Sequence, residues 1–248
     1  MLRYARAAHT RTEFAAFLTT HGIPADRSAS ILWWLIGARG GLVHVPPSGT
    51  WSHRESGDLI AADVWLRGAR APALAEAVRH AVVRHLAAFG PAAVDDIASW
   101  SSIRTPAIRA ALVALGTRMR IFSDQRGRML YDLKGAPLPD PGTPAPVRYL
   151  PKWDSTLLAF APPERVRILA EAHRRTVIIK NGDVARSVLV DGLVAGTWAV
   201  AVKRREATIT VTPFKRIAKS DAAALTEEGE RLARFIAPDA TAHRVTFA

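Results

Sequence analysis

The sequence predicts an α+β fold in which two units, each made of helices followed by a β-hairpin, precede a small β domain with a C-terminal helix. Three observations support this prediction. Apolar residues recur at helical spacing in the first half, strand-like runs joined by tight turns fill most of the second half, and a proline-rich segment separates the two. The predicted domains are units over 1–70 and 71–135, a linker over 136–147 and a β domain over 148–248.

The composition is that of a globular protein with a large excess of positive charge. Hydrophobic residues make up 49% and charged residues 23% of the chain, and no apolar run approaches the roughly 20 residues of a membrane-spanning helix. The formal net charge of +12 favours a polyanionic partner, although abundant alanine and arginine are also typical of GC-rich coding. The lack of cysteine and of an apolar signal core predicts a cytoplasmic protein without disulfides or thiolate chemistry.

The first unit is predicted to contain two helices and a hairpin. Thr10 and Glu13 form a capping-box pattern, and Phe14, Phe17 and Leu18 follow at helical spacing. A second helix is predicted over 31–36. Two strands follow over 42–45 and 50–53, and a proline-bent tip joins them. Helix, helix, hairpin is the order of a winged helix that lacks a clear first helix.

The second unit repeats this plan with three helices. Its long first helix places five apolar residues on one face: Leu74, Val78, Val82, Leu86 and Phe89. A second helix follows over 93–100, and Thr105-Pro106 starts a third. A hairpin then joins strands at 119–122 and 129–132 through a polar tip. This helix-turn-helix spacing with a following hairpin predicts a winged helix.

The last domain is predicted to be a small antiparallel β-barrel-like sheet. Asn181-Gly182 and Asp191-Gly192 are hairpin turns in which glycine supplies a positive φ angle. These two turns and a basic turn at 203–206 join four predicted strands. The strands lie over 177–180, 186–190, 193–202 and 207–211.

The chain is predicted to end in a helix that covers one face of this sheet. Ser220 or Asp221 caps this helix, and Leu225, Leu232 and Phe235 point inward. Trp198 is predicted to lie in the core beneath it.

Five stretches of this sequence resemble a known family. "YLPKWDSTLLAF", "RRTVIIKNGDV", "VLVDGLVAGTW" and "VTPF" lie between Tyr149 and Phe214, and "LAAFGPAAVDDIASWSSI" covers Leu86 to Ile103. They resemble the winged-helix family that includes the AlkZ-type DNA glycosylases. The resemblance implies three winged-helix units with a C-terminal β-barrel-like domain, and excision of bulky alkylated or crosslinked purines from DNA.

One part of the family pattern is missing from this sequence. The resemblance implies catalysis by a Gln-x-Gln or Gln-x-Asp motif in an N-terminal winged helix, whereas Gln125 is the only glutamine and falls at a predicted hairpin tip. The chain is expected to begin after the unit that carries the motif. Two explanations stay open, a shortened relative that does not excise bases and a chain without its N-terminal portion.

Seven basic residues are candidates for contact with DNA. Arg104 and Arg109 belong to the predicted recognition helix, where the alternative is a solvated helix face. Arg126 and Arg128 flank Gly127 at the tip of the predicted wing, where the alternative is a pair of exposed arginines that need no ligand. Lys203, Arg204 and Arg205 form one basic turn. This basic turn forms one face with the other basic clusters of the β domain only if their turns point to the same end of the sheet; otherwise the patch is scattered.

Acidic and histidine residues offer weaker candidates. Asp154 beside Trp153 could act on water or on a cationic sugar in base excision, or could cap the helix that Ser155 starts. His44 and His53 lack a third metal ligand at a recognisable spacing, so no metal site is predicted. Asp95-Asp96 falls in the first turn of a helix, where carboxylates favour the dipole.

The sequence thus predicts a protein that binds double-stranded DNA through phosphates, with a possible link to DNA repair, and that uses no cofactor and no membrane. Base specificity is expected to be modest, because Asn181 and Gln125 are the only side-chain amides. The alternatives are a glycosylase for bulky alkylated or crosslinked bases and a protein-interaction module.

Overall fold

The computed structural model describes residues 3–23, 41–50, 53, 57–68, 71–179 and 182–248. The chain forms two compact units, Met1–Pro72 and Ala73–Ala248. Both contain helices and strands, so the predicted α+β class is confirmed. The predicted helix at 31–36 and the predicted turn residue Asn181 lie outside the described residues.

The Met1–Pro72 unit is built on a small apolar core. Its elements are a 3-10 turn at Tyr4–Arg6, α1 (Arg11–Thr20), β1 (Leu42–His44), β2 (Leu59–Ala61) and α2 (Ala62–Trp65). Strand β1 pairs antiparallel with β2, and residues 51–52 of the strand predicted at 50–53 lie outside the described residues. Burial favours the pairing of β1 with β2, since β2 contributes two side chains to the core formed by Ala5, Phe14, Leu42, Leu59 and Ala61.

The capping box predicted at the start of α1 is confirmed. Thr10 Oγ1 accepts a hydrogen bond from the Glu13 N–H at 3.2 Å, and the Glu13 carboxylate accepts one from the Thr10 N–H at 2.7 Å. The bond from the Thr10 backbone is the main reason why the pKa of Glu13 lies below its usual value.

The Ala73–Ala248 unit begins with helices followed by a hairpin, in the predicted order. They are α3 (Leu74–Phe89), α4 (Val94–Ser101), α5 (Thr105–Leu115), β3 (Met119–Ser123) and β4 (Met129–Leu133). Ser102 ends α4 in the left-handed conformation (φ 57°), and Pro106 lies in the first turn of α5. A tight turn therefore separates the two helices.

One face of each helix fills a shared core. The buried residues include Val82 and Leu86 of α3, Ile97 of α4 and Ile108 of α5. The predicted inward position of Leu74 is wrong, because this side chain is 81% exposed and the buried face of α3 starts one turn later.

Residues beyond the proline-rich segment complete this helical core. Ala159 and Phe160 are buried among the apolar side chains of α3, α4 and α5. The Asp96 carboxylate accepts hydrogen bonds from the Ala93 N–H and the Ala161 N–H, both at 2.9 Å. The segment after the linker is thereby fixed to the helices, and the division into four predicted domains stays a prediction.

His85 is fully buried in the same core as a neutral imidazole. Its Nε2 donates a hydrogen bond to the Ala159 carbonyl at 2.8 Å, while Nδ1 has no partner among the described residues. Protonation would place a second N–H where no acceptor lies. Burial accordingly lowers the pKa of His85 below its usual value.

We expect this histidine to make the protein less stable in acid. The unfolded chain binds the proton near pH 6.5 and the folded chain only at lower pH, so stability is complete above about pH 6.5 and falls by at most about 1.4 kcal/mol per pH unit below it. His85→Gln should flatten the melting temperature between pH 7.5 and 5.5, while His80→Gln, an exposed position on α3, should not. Equal pH dependence in all three proteins would contradict this assignment.

The rest of the unit is a five-stranded sheet, and short helical turns lie on the connection between its first two strands. The helical turns are Ser155–Leu157, Pro162–Arg167, Glu171–His173 and α6 (Arg174–Val177). The strands, in their spatial order, are β5 (Arg148–Leu150), β6 (Ser187–Val190), β7 (Leu193–Lys203), β8 (Glu206–Pro213) and β9 (Ala242–Phe247). Helix α7 (Lys219–Ile236) connects β8 to β9.

Two predictions about this sheet are wrong. The antiparallel β-barrel-like arrangement is instead an open, mixed sheet, because β9, which the sequence analysis missed, pairs in parallel with β8 after the α7 crossover. The strand predicted over 177–180 is also wrong, since α6 ends at Val177 and the following Ile178 makes only an isolated bridge with Val184.

The turns and the core of the sheet follow the sequence more closely. Asp191 and Gly192 both adopt a positive φ (49° and 74°) between β6 and β7, so this hairpin turn is confirmed. Trp198 is buried as predicted, and its Nε1 donates to the Leu150 carbonyl at 2.9 Å. Leu225 is likewise fully buried.

The start of α7 and one of its side chains differ from the prediction. Its N-cap is Ala218 without a side-chain cap, so neither Ser220 nor Asp221 takes this role. Phe235, predicted inward, is 60% exposed.

Candidate nucleic-acid interface

Helix α5 exposes two arginines on a surface of otherwise small side chains. Ile108 and Leu112 bury one face, which leaves Arg104, at the N-cap, and Arg109 exposed. Their neighbours on the exposed side are small or apolar: Pro106, Ala107, Ala110, Val113 and Ala114. The first turn carries no acidic residue, so nothing offsets the positive end of the helix dipole. A polyanion can therefore approach this helix closely.

The two α5 arginines have no side-chain hydrogen bond or ion pair within the described part of the chain, and the same holds for Lys203 and Arg204. Further basic residues share this property: Arg79, Arg84, Arg118, Lys134, Arg175, Lys215, Arg216 and Lys219. Unpaired guanidinium and ammonium groups keep their full capacity to bind phosphate.

The two arginines at the tip of the β3–β4 hairpin are held differently. Arg126 donates a hydrogen bond to the Glu164 carboxylate, and Arg128 forms an ion pair with the same carboxylate at 2.8 Å. Arg128 Nε also donates to one oxygen of Asp124 at 2.8 Å. The second Asp124 oxygen accepts hydrogen bonds from the backbone N–H groups of Arg126 and Arg128, both at 2.9 Å. The predicted wing arginines are thus neutralised by two carboxylates of the same protein.

The titration of these groups reflects the ion pairs. Side-chain and backbone hydrogen bonds from Arg128, together with the backbone N–H of Arg126, lower the pKa of Asp124 to about 2. The Asp124 carboxylate in turn raises the pKa of Arg128 above its usual value. At neutral pH Asp124 and Arg128 are therefore both charged, and binding phosphate at this tip requires the arginines to leave a carboxylate.

The turn between β7 and β8 presents three basic side chains on a strained backbone. Lys203, Arg204 and Arg205 are exposed, and both arginines adopt a positive φ (47° and 65°). Left-handed conformations cost non-glycine residues about 1–2 kcal/mol each. Arg205 is partly anchored, because its guanidinium donates to the Asp239 carbonyl at 3.3 Å.

Asp154 lies where a cap is expected. It precedes the helical turn Ser155–Leu157, and its Oδ1 accepts a hydrogen bond from the Thr156 N–H at 2.8 Å. The neighbouring Trp153 is exposed, with a φ of 61°. The capping interpretation is confirmed, and a catalytic role of this aspartate stays a prediction.

Two of the other acidic and histidine candidates, Asp96 and His44, have structural partners. Asp96 is the buried carboxylate that binds the Ala93 and Ala161 amides, and Asp95 is exposed. His44 Nδ1 lies 2.6 Å from Ser48 Oγ. Within the described ranges, no three His, Cys, Asp or Glu residues are placed so that they could hold a metal ion.

Sequence reasoning missed Glu164 and a pocket beside β7. Glu164 lies 36 residues after Arg128, so only the tertiary fold brings them together. His173 and Phe214 line the pocket, and their rings are stacked although the two residues are also far apart in the sequence. Near Glu164 the only local pattern is the run "PPER", whose prolines are typical of the start of a helix. This pattern predicts a helical turn but does not reveal that Glu164 pairs with the two arginines.

Comparisons with known proteins agree on one family. A family model described as DNA glycosylase AlkZ-like matches residues 2–235. An interstrand DNA cross-link repair glycosylase from Streptomyces sahachiroi is 26% identical over 205 residues, which are 79% of this chain and 52% of that protein. The solved structure of Streptomyces sahachiroi DNA glycosylase AlkZ matches 98% of this chain and 66% of its own with a TM-score of 0.73 at 21% identity. The chain therefore spans about half the length of the curated relative. None of the helices in the described ranges is long and apolar enough to cross a membrane.

Proposed function

Because the chain belongs to the AlkZ-like DNA glycosylase family, we propose that it binds double-stranded DNA in a DNA-repair context, as a winged-helix protein that contacts mainly phosphates. The observation that carries this proposal is that two exposed arginines on α5 have no side-chain partner among the described residues. The order of α3, α4, α5 and the β3–β4 hairpin supports a winged helix with α5 as its recognition helix. Arg104 and Arg109 then face the DNA.

The basic residues differ in what they contribute to this binding. Arg104, Arg109, Lys203 and Arg204 are exposed and have no side-chain partner among the described residues, so each can replace a counterion on a phosphate directly. Arg205 adds to the same turn. Arg126 and Arg128 contribute less, because phosphate must first compete with Glu164 and Asp124.

A salt titration of duplex binding tests the proposal. We expect log K for a 20-base-pair duplex to fall linearly with log salt concentration, and Arg104→Ala with Arg109→Ala to reduce the slope by about 1.8, or 0.9 for each lost phosphate contact. The matched control is Arg231→Gln with Arg234→Gln, which removes the same charge from arginines that pair with glutamates on α7. A flat salt dependence would favour a protein-interaction module.

Excision of a damaged base is the second candidate, and family membership favours it. The sequence contains no Gln-x-Gln or Gln-x-Asp motif, and the only acidic candidate, Asp154, already accepts a backbone hydrogen bond. We propose that these 248 residues bind DNA without excising bases. Incubation with an alkylated duplex should leave no abasic sites above background. Abasic sites formed by the wild type but not by Asp154→Asn would establish the enzyme and contradict us.

A further inference from the structure

A pocket of about 330 Å³ opens beside the first residues of β7. Val166 and Leu193 form apolar walls at its mouth and are each 53% exposed. Backbone hydrogen bonds fix these walls, since the Val194 N–H donates to the Ile168 carbonyl at 2.8 Å. The volume lies at the small end of the range for ligand sites, about 300–1,000 Å³. The pocket therefore suits a single small group.

Two stacked rings line this pocket. The imidazole of His173 and the ring of Phe214 lie with their centroids 4.1 Å apart and their planes at 15°. The Phe214 N–H donates to the Ala195 carbonyl at 2.9 Å, which holds the phenyl ring against β7. The ring nitrogens of His173 have no hydrogen-bond partner among the described residues. A flat aromatic ligand could extend this stack and could bond to a free nitrogen.

The surroundings of the pocket are positively charged. Lys215 and Arg216 line it and are exposed and unpaired, and none of its described lining residues is acidic. Nearby, Arg174 pairs with Glu171. Burial and, to a smaller extent, the positive charge of Arg174 lower the pKa of Arg165 below its usual value.

We propose that this pocket binds one unstacked nucleobase, with the adjoining phosphate on Lys215 and Arg216. The stacked rings and apolar walls favour a flat aromatic group over an acyl chain, and the two cations favour an anion beside it. This proposal rests on the proposed function, because a nucleotide of bound DNA is one source of such a ligand. A free nucleotide is the other source.

The test compares two duplexes that contain the same 2-aminopurine strand, one paired along its whole length and one in which the complementary strand lacks the nucleotide opposite 2-aminopurine. We expect the wild type to bind the bulged duplex about tenfold more tightly and to quench its fluorescence, since stacking on an aromatic contributes about 1–3 kcal/mol per base. His173→Ala and Leu193→Glu should remove the preference and the quenching. Leu138→Glu, an exposed leucine in the linker, is the matched control and should keep both.

The outcomes separate this proposal from the proposed function. Equal affinity for both duplexes with a steep salt dependence would leave DNA binding intact and overturn the pocket. If neither duplex binds, the proposed function fails, and deoxyadenosine monophosphate decides the pocket. Saturable binding to the wild type but not to Leu193→Glu would support it, and no binding would overturn it.

Discussion

Replacing Arg204-Arg205 with Asn-Gly is expected to make the protein more stable and its binding to DNA weaker. Both arginines occupy the central positions of a two-residue hairpin turn with positive φ angles, 47° and 65°. Asn-Gly is the pair that adopts this geometry most readily. We expect a gain of about 1 kcal/mol, which corresponds to a melting temperature about 2–4 °C higher.

The loss of affinity follows from the position of the same side chains. The tip is exposed and lacks an acidic partner for Arg204 within the described residues, so its charges are available to phosphate. Two exposed charge contacts are worth about 1–2 kcal/mol together, or about a tenfold change in the dissociation constant. Thermal melting and duplex titration on the same preparation measure both effects.

The control separates the position of the charges from their number. Arg231→Gln with Arg234→Gln removes two positive charges from α7 and should leave DNA affinity nearly unchanged, while it removes ion pairs with Glu227, Glu228 and Glu230. An Asn-Gly variant that melts at a higher temperature but binds DNA as tightly as the wild type would show that the tip does not contact DNA.

The elements that the sequence predicted correctly depend on local rules. The capping box of Thr10 and Glu13, the Asp191-Gly192 turn and the start of α5 at Thr105-Pro106 each involve residues within four positions of each other. Their geometry is fixed by backbone φ angles and by short-range hydrogen bonds, which residue type reveals directly.

The features that the sequence did not predict depend on contacts between distant residues. Strand β9 exists because α7 returns the chain to the edge of β8, and its sequence Ala242–Phe247 has few of the turn signals that mark a hairpin. Phe160 enters the helical core from beyond the linker for the same kind of reason. Periodicity shows which face of an element is buried but not what covers it.

The candidate site was predicted in its residue types but not in their partners. All seven basic residues are present in turns or on a helix surface as expected. Only the fold distinguishes the unpaired arginines of α5 from Arg126 and Arg128, because Glu164 approaches them from a distant segment.

Glu164→Gln is expected to tighten DNA binding and to destabilise the protein. The Glu164 side chain is buried, accepts a hydrogen bond from Arg126 and forms an ion pair with Arg128. A neutral amide holds these guanidinium groups less strongly. Arg126 then becomes available to phosphate, while Arg128 keeps its hydrogen bond to Asp124. The slope of log K against log salt concentration should therefore become steeper by up to about 0.9. Because the arginines are themselves partly exposed, the cost in unfolding free energy should be about 1–2 kcal/mol.

The matched control for this variant is Glu230→Gln, which makes the same change of charge and frees Arg234 on α7. It should alter neither the slope nor the affinity appreciably, so a difference between the two variants reports on the hairpin tip and not on net charge. Weaker binding by Glu164→Gln would mean that DNA contacts Arg126 and Arg128 in their ion-paired positions. Glu164 would then orient the tip for binding, and the carboxylate would act as a positioning group instead of a competitor of phosphate.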